Sequence, residues 1–195
     1  MIMKAITLFL TTLLAACGVL APVKDASVNY LLEPLVPERR ITGASPAIAI
    51  ARPSLPGYLD RQQLVSRGMD GRMMMNSFHL WAEPLDAGIA RVTAANLARL
   101  ANSLSIQPVE TYVTLDYQSL LEIRVSRFEP DASGKVVLEC TWKLQPVSGR
   151  VTDPRPFRAV IDPGAPVQPG APQTARVAAM NEALASLARE IARAL

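Results

Sequence analysis

From Tyr117 to Leu144 the side chains alternate so regularly that a long two-stranded ribbon is the structure they demand. Tyr117, Ser119, Leu121, Ile123 and Val125 fall on one side, with Gln118, Leu120, Glu122, Arg124 and Ser126 opposite. Ala132-Ser133-Gly134 supplies a turn. Val136, Leu138, Cys140, Trp142 and Leu144 then line one side of the return strand, and Glu139, Thr141 and Lys143 take the wetter one. Such period-two patterning places successive side chains on opposite faces of a sheet. The apolar side must be covered, so the rest of the chain has to supply a second layer.

Two segments qualify as that layer. Ile89, Val92, Thr93, Leu97, Leu100 and Leu104 recur at three and four residues and predict a helix capped by Asp86 and running to about Ser103. Arg91 and Arg99 fall mainly outside this stripe. Near the C-terminus, Thr174 can cap a helix to Leu195 with a stripe of Val177, Met180, Leu184, Leu187, Ala188 and Ile191. Further strands are expected at Asn29–Glu33, Pro46–Arg52, Gln63–Arg67, Arg72–Leu80, Ser105–Val109 and, more weakly, Pro154–Ile161. Asp70-Gly71 is a hairpin signal between two of them. The stretch from Asp162 to Gln173, with four prolines and two glycines, reads as a surface loop. The fold class is α/β in the α+β sense: a mixed or antiparallel sheet with two amphipathic helices packed on one face.

The N-terminus has a different character. Lys4 precedes an apolar run from Ala5 to Leu14 that closes on Leu14-Ala15-Ala16-Cys17. A basic start, a short apolar stretch and small residues before a cut site make a secretory signal. Ten residues rise about 15 Å as helix, about half the hydrocarbon core, so this segment does not span a bilayer. Leu-Ala-Ala-Cys resembles a bacterial lipobox, in which Cys17 becomes the new N-terminus and carries acyl chains; the alternative is a plain signal peptide with a cysteine at that place. Several chains on one residue form a durable anchor, where one alone holds weakly. Gly18 stands where an aspartate would resemble the inner-membrane retention signal. That resemblance implies the inner leaflet of the outer membrane, with the domain facing the periplasm. Residues 1–16 are then the signal, 17–27 a lipidated tether and 28–195 the domain.

Removing residues 1–16 takes one lysine with it, leaving 179 residues with 19 basic and 17 acidic side chains. A net charge of +2, scattered along the chain, gives no electrostatic case for nucleic acid. With Cys17 acylated, Cys140 has no partner for an internal disulfide and reads as a small buried hydrophobe.

Chemistry is scarce. His79 is the sole histidine, and no spacing of carboxylates or cysteine supports a metal site around it. Gly68 and Gly71 lack the lysine and helix start of a phosphate loop. Glu83 and Asp86 stand at a helix entrance, where capping explains them more cheaply than acid–base catalysis. No cofactor is implied and enzyme activity is not expected; a lipid-anchored hydrolase would need a base beside a nucleophile. Met73-Met74-Met75, with Phe78 and Trp81, is the feature that can carry function. Since strand faces alternate, either both faces of this strand are covered or an adaptable apolar surface is left open.

Pro56-Gly57-Tyr58-Leu59-Asp60-Arg61-Gln62-Gln63-Leu64-Val65 and Trp81-Ala82-Glu83-Pro84-Leu85 resemble the two signature stretches of the ABC-type transport auxiliary lipoprotein family. Asn96-Leu97, Val125–Glu129, Val136–Trp142 and Met180–Ile191 also fit its pattern, and the likeness covers about residues 12–195. His79-Leu80 is a departure, since an arginine often precedes the family's Trp-Ala-Glu-Pro-Leu. The resemblance implies a fold similar to the TolB N-terminal, anticodon-binding-like domain. It implies a non-enzymatic accessory role in lipid movement between the two membranes, with an MCE-domain protein of a PqiB-like assembly as partner and a ring of identical subunits as one arrangement. Tyr58, Asp60, Arg61, Trp81 and Glu83 are the candidate interface residues; the alternative is that these stretches lock a turn and a helix entrance. A lipid-binding carrier holding an acyl chain in its own apolar cavity is the competing function.

Overall fold

The computed structural model describes residues 25–37, 40–109, 116–149, 152–164 and 172–195. The signal segment, Cys17 and the tether as far as Lys24 lie outside the described residues, as does the loop segment 165–171. Eight strands and two helices follow in chain order: β1 (Val28–Tyr30), β2 (Ile48–Ile50), β3 (Gln63–Arg67), β4 (Met73–Trp81), α1 (Leu85–Ala101), β5 (Ile106–Pro108), β6 (Ser119–Pro130), β7 (Val136–Pro146), β8 (Arg155–Ile161) and α2 (Pro172–Ala192).

The strands divide between two mixed sheets. The larger has the order β5-β2-β6-β7-β8, with β2 parallel to both its neighbours and β6, β7 and β8 antiparallel. The smaller has the order β1-β4-β3, in which β1 runs parallel to β4 and β3 antiparallel. The two helices pack on each other, α1 against β5 and α2 against β7 and β8. The expected α+β architecture is present, with its strands shared between two sheets.

The ribbon is β6–β7, and its inward side chains Leu121, Ile123, Val125, Val136, Leu138, Cys140 and Trp142 are buried as the alternation requires. The α2 stripe is buried from Val177 to Ile191. Burying an aliphatic or aromatic side chain stabilises by roughly 1.5–3 kcal/mol relative to exposure. This joint burial against the helices is therefore the main force holding the layers together.

Three local features differ from expectation. First, α1 begins at Leu85 with Pro84 as its N-cap and no side-chain cap. Pro84 presets the backbone for the helix, and its carbonyl accepts the Gly88 amide at 3.0 Å. Asp86 thus sits inside the first turn, 3.4 Å from the Arg52 guanidinium. Second, Asn102 adopts the left-handed conformation (φ 55°) and ends the helix, so Leu104 projects into solvent instead of completing the stripe. Third, α2 starts at Pro172, which places Thr174 within its first turn.

A bulge interrupts the ribbon. Val125 pairs with Cys140 but Arg127 with Glu139, leaving Ser126 as the extra residue. Its hydroxyl donates to the Glu139 carbonyl at 3.0 Å. One inserted residue reverses the facing of everything after it. Odd-numbered residues point to the core before Ser126, and Phe128 does so after it.

Candidate functional site

The reversal at Ser126 sends Glu129 to the sheet face opposite Phe128, yet Glu129 has no exposed surface. What covers it comes from the smaller sheet and the loop leading to it. Arg67, the last residue of β3, donates Nε–H to Oε1 at 3.0 Å, and Arg127 donates Nε–H to the same oxygen at 3.1 Å. Oε2 accepts the Phe128 amide at 2.9 Å and the Tyr58 hydroxyl at 3.0 Å. Tyr58 also lies 3.1 Å from the Ser126 carbonyl, so its single proton is shared across the bulge. The Arg67 guanidinium stands 5.7 Å from the Tyr58 ring centroid. Glu139 extends the cluster to Arg158 at 2.9 Å.

A buried carboxylate is tolerated only when paired and hydrogen-bonded, and four donors meet that demand. Burial first, and then the negative charge of Glu129, push the Tyr58 phenol up to about 12. The cluster is a clasp between the two sheets.

The expected interface residues separate under this geometry. Tyr58 points inward and holds the bulge. Trp81 is buried, at 6% exposure, and forms part of the core. Glu83 pairs with Arg91 of α1, which also donates to the Leu32 carbonyl at 2.8 Å and so ties the β1–β2 connection to the helix. Asp60 is exposed. Arg61 donates to Met75 Sδ at 2.8 Å, while its Nε is buried without a partner. Arg61 therefore borders the methionine strand, and Asp60, beside it in sequence, is accessible. Cys17 lies outside the described residues. Glu129 is not among the expected interface residues; its signal in the sequence is Arg-x-Glu at the end of a strand whose other face is apolar.

His79 accepts or donates a hydrogen bond with the Tyr30 hydroxyl at 2.8 Å through Nδ1, which joins β4 to β1. No group of three or more His, Cys, Asp or Glu side chains among the described residues is placed to hold a metal. Burial pushes the Cys140 thiol up to about 12, away from thiolate chemistry.

Beside the clasp runs a cleft of about 480 Å³ between β3–β4 and the first turns of α2. Leu64, Met74, Phe78, Trp81, Phe128 and Met180 line it. Met74, Met75 and Phe78 are each at least half exposed, so the methionine strand is not covered on both faces. The open apolar surface is the alternative that holds.

These features define a two-sheet α+β domain whose polar centre is a clasp and whose open surface is an apolar strand beside a cleft. Two solved structures have this fold. One, described as an uncharacterized protein, has a TM-score of 0.66 and 20% identity, covering 86% of this chain and 97% of its own. The other, from Xanthomonas campestris, has a TM-score of 0.64 and 21% identity, covering 85% and 93%. The family model for the ABC-type transport auxiliary lipoprotein component matches residues 30–192, and the chain belongs to that family. The intermembrane transport lipoprotein PqiC of Escherichia coli strain K12 is 27% identical over 176 residues, covering 87% of this chain and 89% of the relative. PqiC of Shigella flexneri matches to the same extent. The chain is thus an auxiliary lipoprotein of a transport system. No helix among the described residues is long and apolar enough to cross a membrane.

Proposed function

We propose that this protein is a non-enzymatic accessory subunit of an MCE-type intermembrane lipid transport system. It is held by acyl chains on Cys17 in the inner leaflet of the outer membrane, with its domain in the periplasm. The observation that carries this reading is the family match over residues 30–192, joined to relatives named as intermembrane transport lipoproteins. Leu14-Ala15-Ala16-Cys17 followed by Gly18 supports the anchor and its destination. The partner is an MCE-domain protein of a PqiB-like assembly, and a ring of identical subunits is the arrangement we expect to meet it. Asp60 and Arg61 offer the accessible part of the docking segment, while Tyr58, Trp81 and Glu83 hold that segment in place. Crosslinking in intact cells, followed by identification of the captured protein, tests the assignment. Recovery of an MCE-domain partner that is lost in Asp60→Ala/Arg61→Ala, with the fold intact, supports it; capture of no transport component sinks it.

A second reading is that the domain itself holds an acyl chain. The cleft of about 480 Å³ favours it, since ligand sites commonly occupy roughly 300–1,000 Å³ with mostly apolar linings. Lipid co-purifying with the protein from membranes, and absent from a Met74→Glu variant, supports this reading.

A further inference from the structure

Among the described residues, twelve large hydrophobic side chains are exposed; three of them, Met74, Met75 and Phe78, border one cleft, and two more lie at the hairpin turn and at the start of the neighbouring strand. Met74, Met75 and Phe78 lie on β4, Val28 opens β1, and Met69 stands 93% exposed at the turn between β3 and β4. Isolated exposed apolar residues are ordinary, but a contiguous group of them marks a contact site.

The direction of β1 is decisive. It pairs in parallel with the far end of β4, Val28 beside His79 and Tyr30 beside Trp81. Parallel pairing means that the chain preceding Val28 enters from the side of Met73–Phe78. Eight residues, Cys17 to Lys24, separate the lipid attachment from Asp25. Fully extended they reach about 28 Å. The apolar surface therefore sits at the point where the tether joins the domain, and the tether keeps it within that distance of the bilayer. Confinement of this kind raises the effective concentration of a surface for its target without any new contact.

The chemistry of the surface suits a lipid–water boundary. Methionine and phenylalanine supply adaptable apolar contact. Arg72, whose side chain is exposed, can extend its charged end to head groups while its stem lies along apolar surface. Asp70, 2.7 Å from Arg72, offsets that charge, which leaves the apolar contact as the main attraction. The β1-side edge of Met73–Phe78 carries no strand among the described residues. Unpaired backbone polar groups cannot enter hydrocarbon, so the contact has to be shallow, at head-group depth.

We infer that the β3–β4 hairpin, through Met69, Met74, Met75 and Phe78, rests on the leaflet that holds the Cys17 acyl chains and orients the domain on the membrane. This rests on the anchoring proposed above.

The test uses the mature full-length protein in vesicles of phosphatidylethanolamine and phosphatidylglycerol. An environment-sensitive fluorophore is placed at Met69→Cys, Phe78→Cys or, as control, Val147→Cys. Val147 is exposed and lies at the other end of the β6–β7 ribbon, about 40 Å from Pro130. Acylated Cys17 and buried Cys140 leave the introduced thiol to be labelled. The expected result is blue-shifted emission at positions 69 and 78, with quenching by nitroxide-bearing lipids several-fold stronger than at 147. Protein that floats with the vesicles but is quenched equally at all three positions overturns the inference. Equal shielding of position 78 in a non-acylated Cys17→Ser protein in buffer, without lipid or detergent, also overturns it, because a second copy or another protein then covers the surface. Failure to float overturns the anchoring and this inference together, and mass spectrometry of the N-terminus separates that outcome from the others.

Discussion

The Tyr58 hydroxyl crosses 71 residues of sequence to lie 3.0 Å from the Glu129 carboxylate. One residue belongs to the turn before β3 and the other to the end of β6, so this contact joins the two sheets. Arg67 doubles it from the same side. The geometry makes the position of the methionine strand depend on a carboxylate at the far end of the larger sheet's longest strand.

Removing that carboxylate should be costly. Glu129→Ala leaves Arg67 without its counter-charge and Arg127 with only Glu139, at 3.7 Å; breaking a buried pair costs about 3–5 kcal/mol, and the partly exposed guanidiniums place this one at the lower end. For a domain of this size, thermal unfolding should show a Tm lower by on the order of 10 °C. Tyr58→Phe removes one hydrogen bond to the same charged group and should cost about 1.5–3 kcal/mol. Urea titration of both variants checks the ranking; equal stability of all three proteins contradicts the clasp.

Alkaline titration tests the Tyr58 environment. The phenol is raised from 10.0 to about 12, so the native state keeps a proton that the unfolded chain releases. Its contribution to stability is present in full below about pH 10 and is lost as pH climbs toward 12. Phenolate absorbance should show one late-titrating group that disappears in Tyr58→Phe.

Cys140 should be silent. With its thiol pushed up to about 12 by burial, it should not react with a thiol reagent at pH 8 in the folded protein, and should react at once in denaturant. Fast labelling of the native protein at this position would contradict the packing of β7.

Two glycines should respond oppositely to alanine. A Cβ on Gly43 would meet the Asn102 carbonyl oxygen at 2.3 Å, a backbone atom that cannot swing aside. Gly43→Ala is expected to cost about 1–3 kcal/mol, as overpacking does. Gly57 has nothing within 4 Å of that point, and Gly57→Ala should stabilise by about 0.4–1 kcal/mol through the unfolded chain. Chemical denaturation of the pair reads the sign of each.

What could be seen in the sequence follows from how local the signal was. The β6–β7 ribbon, the Asp70-Gly71 hairpin and the α2 stripe each announce themselves within one continuous stretch of chain, because one periodicity and one turn decide them. The partition of strands into two sheets is hidden, since it depends on β1 choosing β4 as a parallel partner 51 residues on. Ser126 was equally silent: a bulge breaks the alternation by one residue, and the buried side of Glu129 follows from it. Tyr58 and Trp81 read in sequence as candidates for contact with a partner. Their aromatic bulk turns inward instead, and aromatic residues near a turn look the same in sequence whether they face a ligand or the core.

The nine residues of β4 change surroundings from one end to the other. Met74 to Phe78 meet open space, His79 is tied to Tyr30, and Trp81 is enclosed. A saturation scan along this strand should therefore record a gradient of tolerance: wide freedom for folding near the hairpin tip, narrowing to almost none at the tryptophan. Viability in cells need not follow that slope, and wherever growth suffers but the melting curve does not, the strand reports what it touches outside itself.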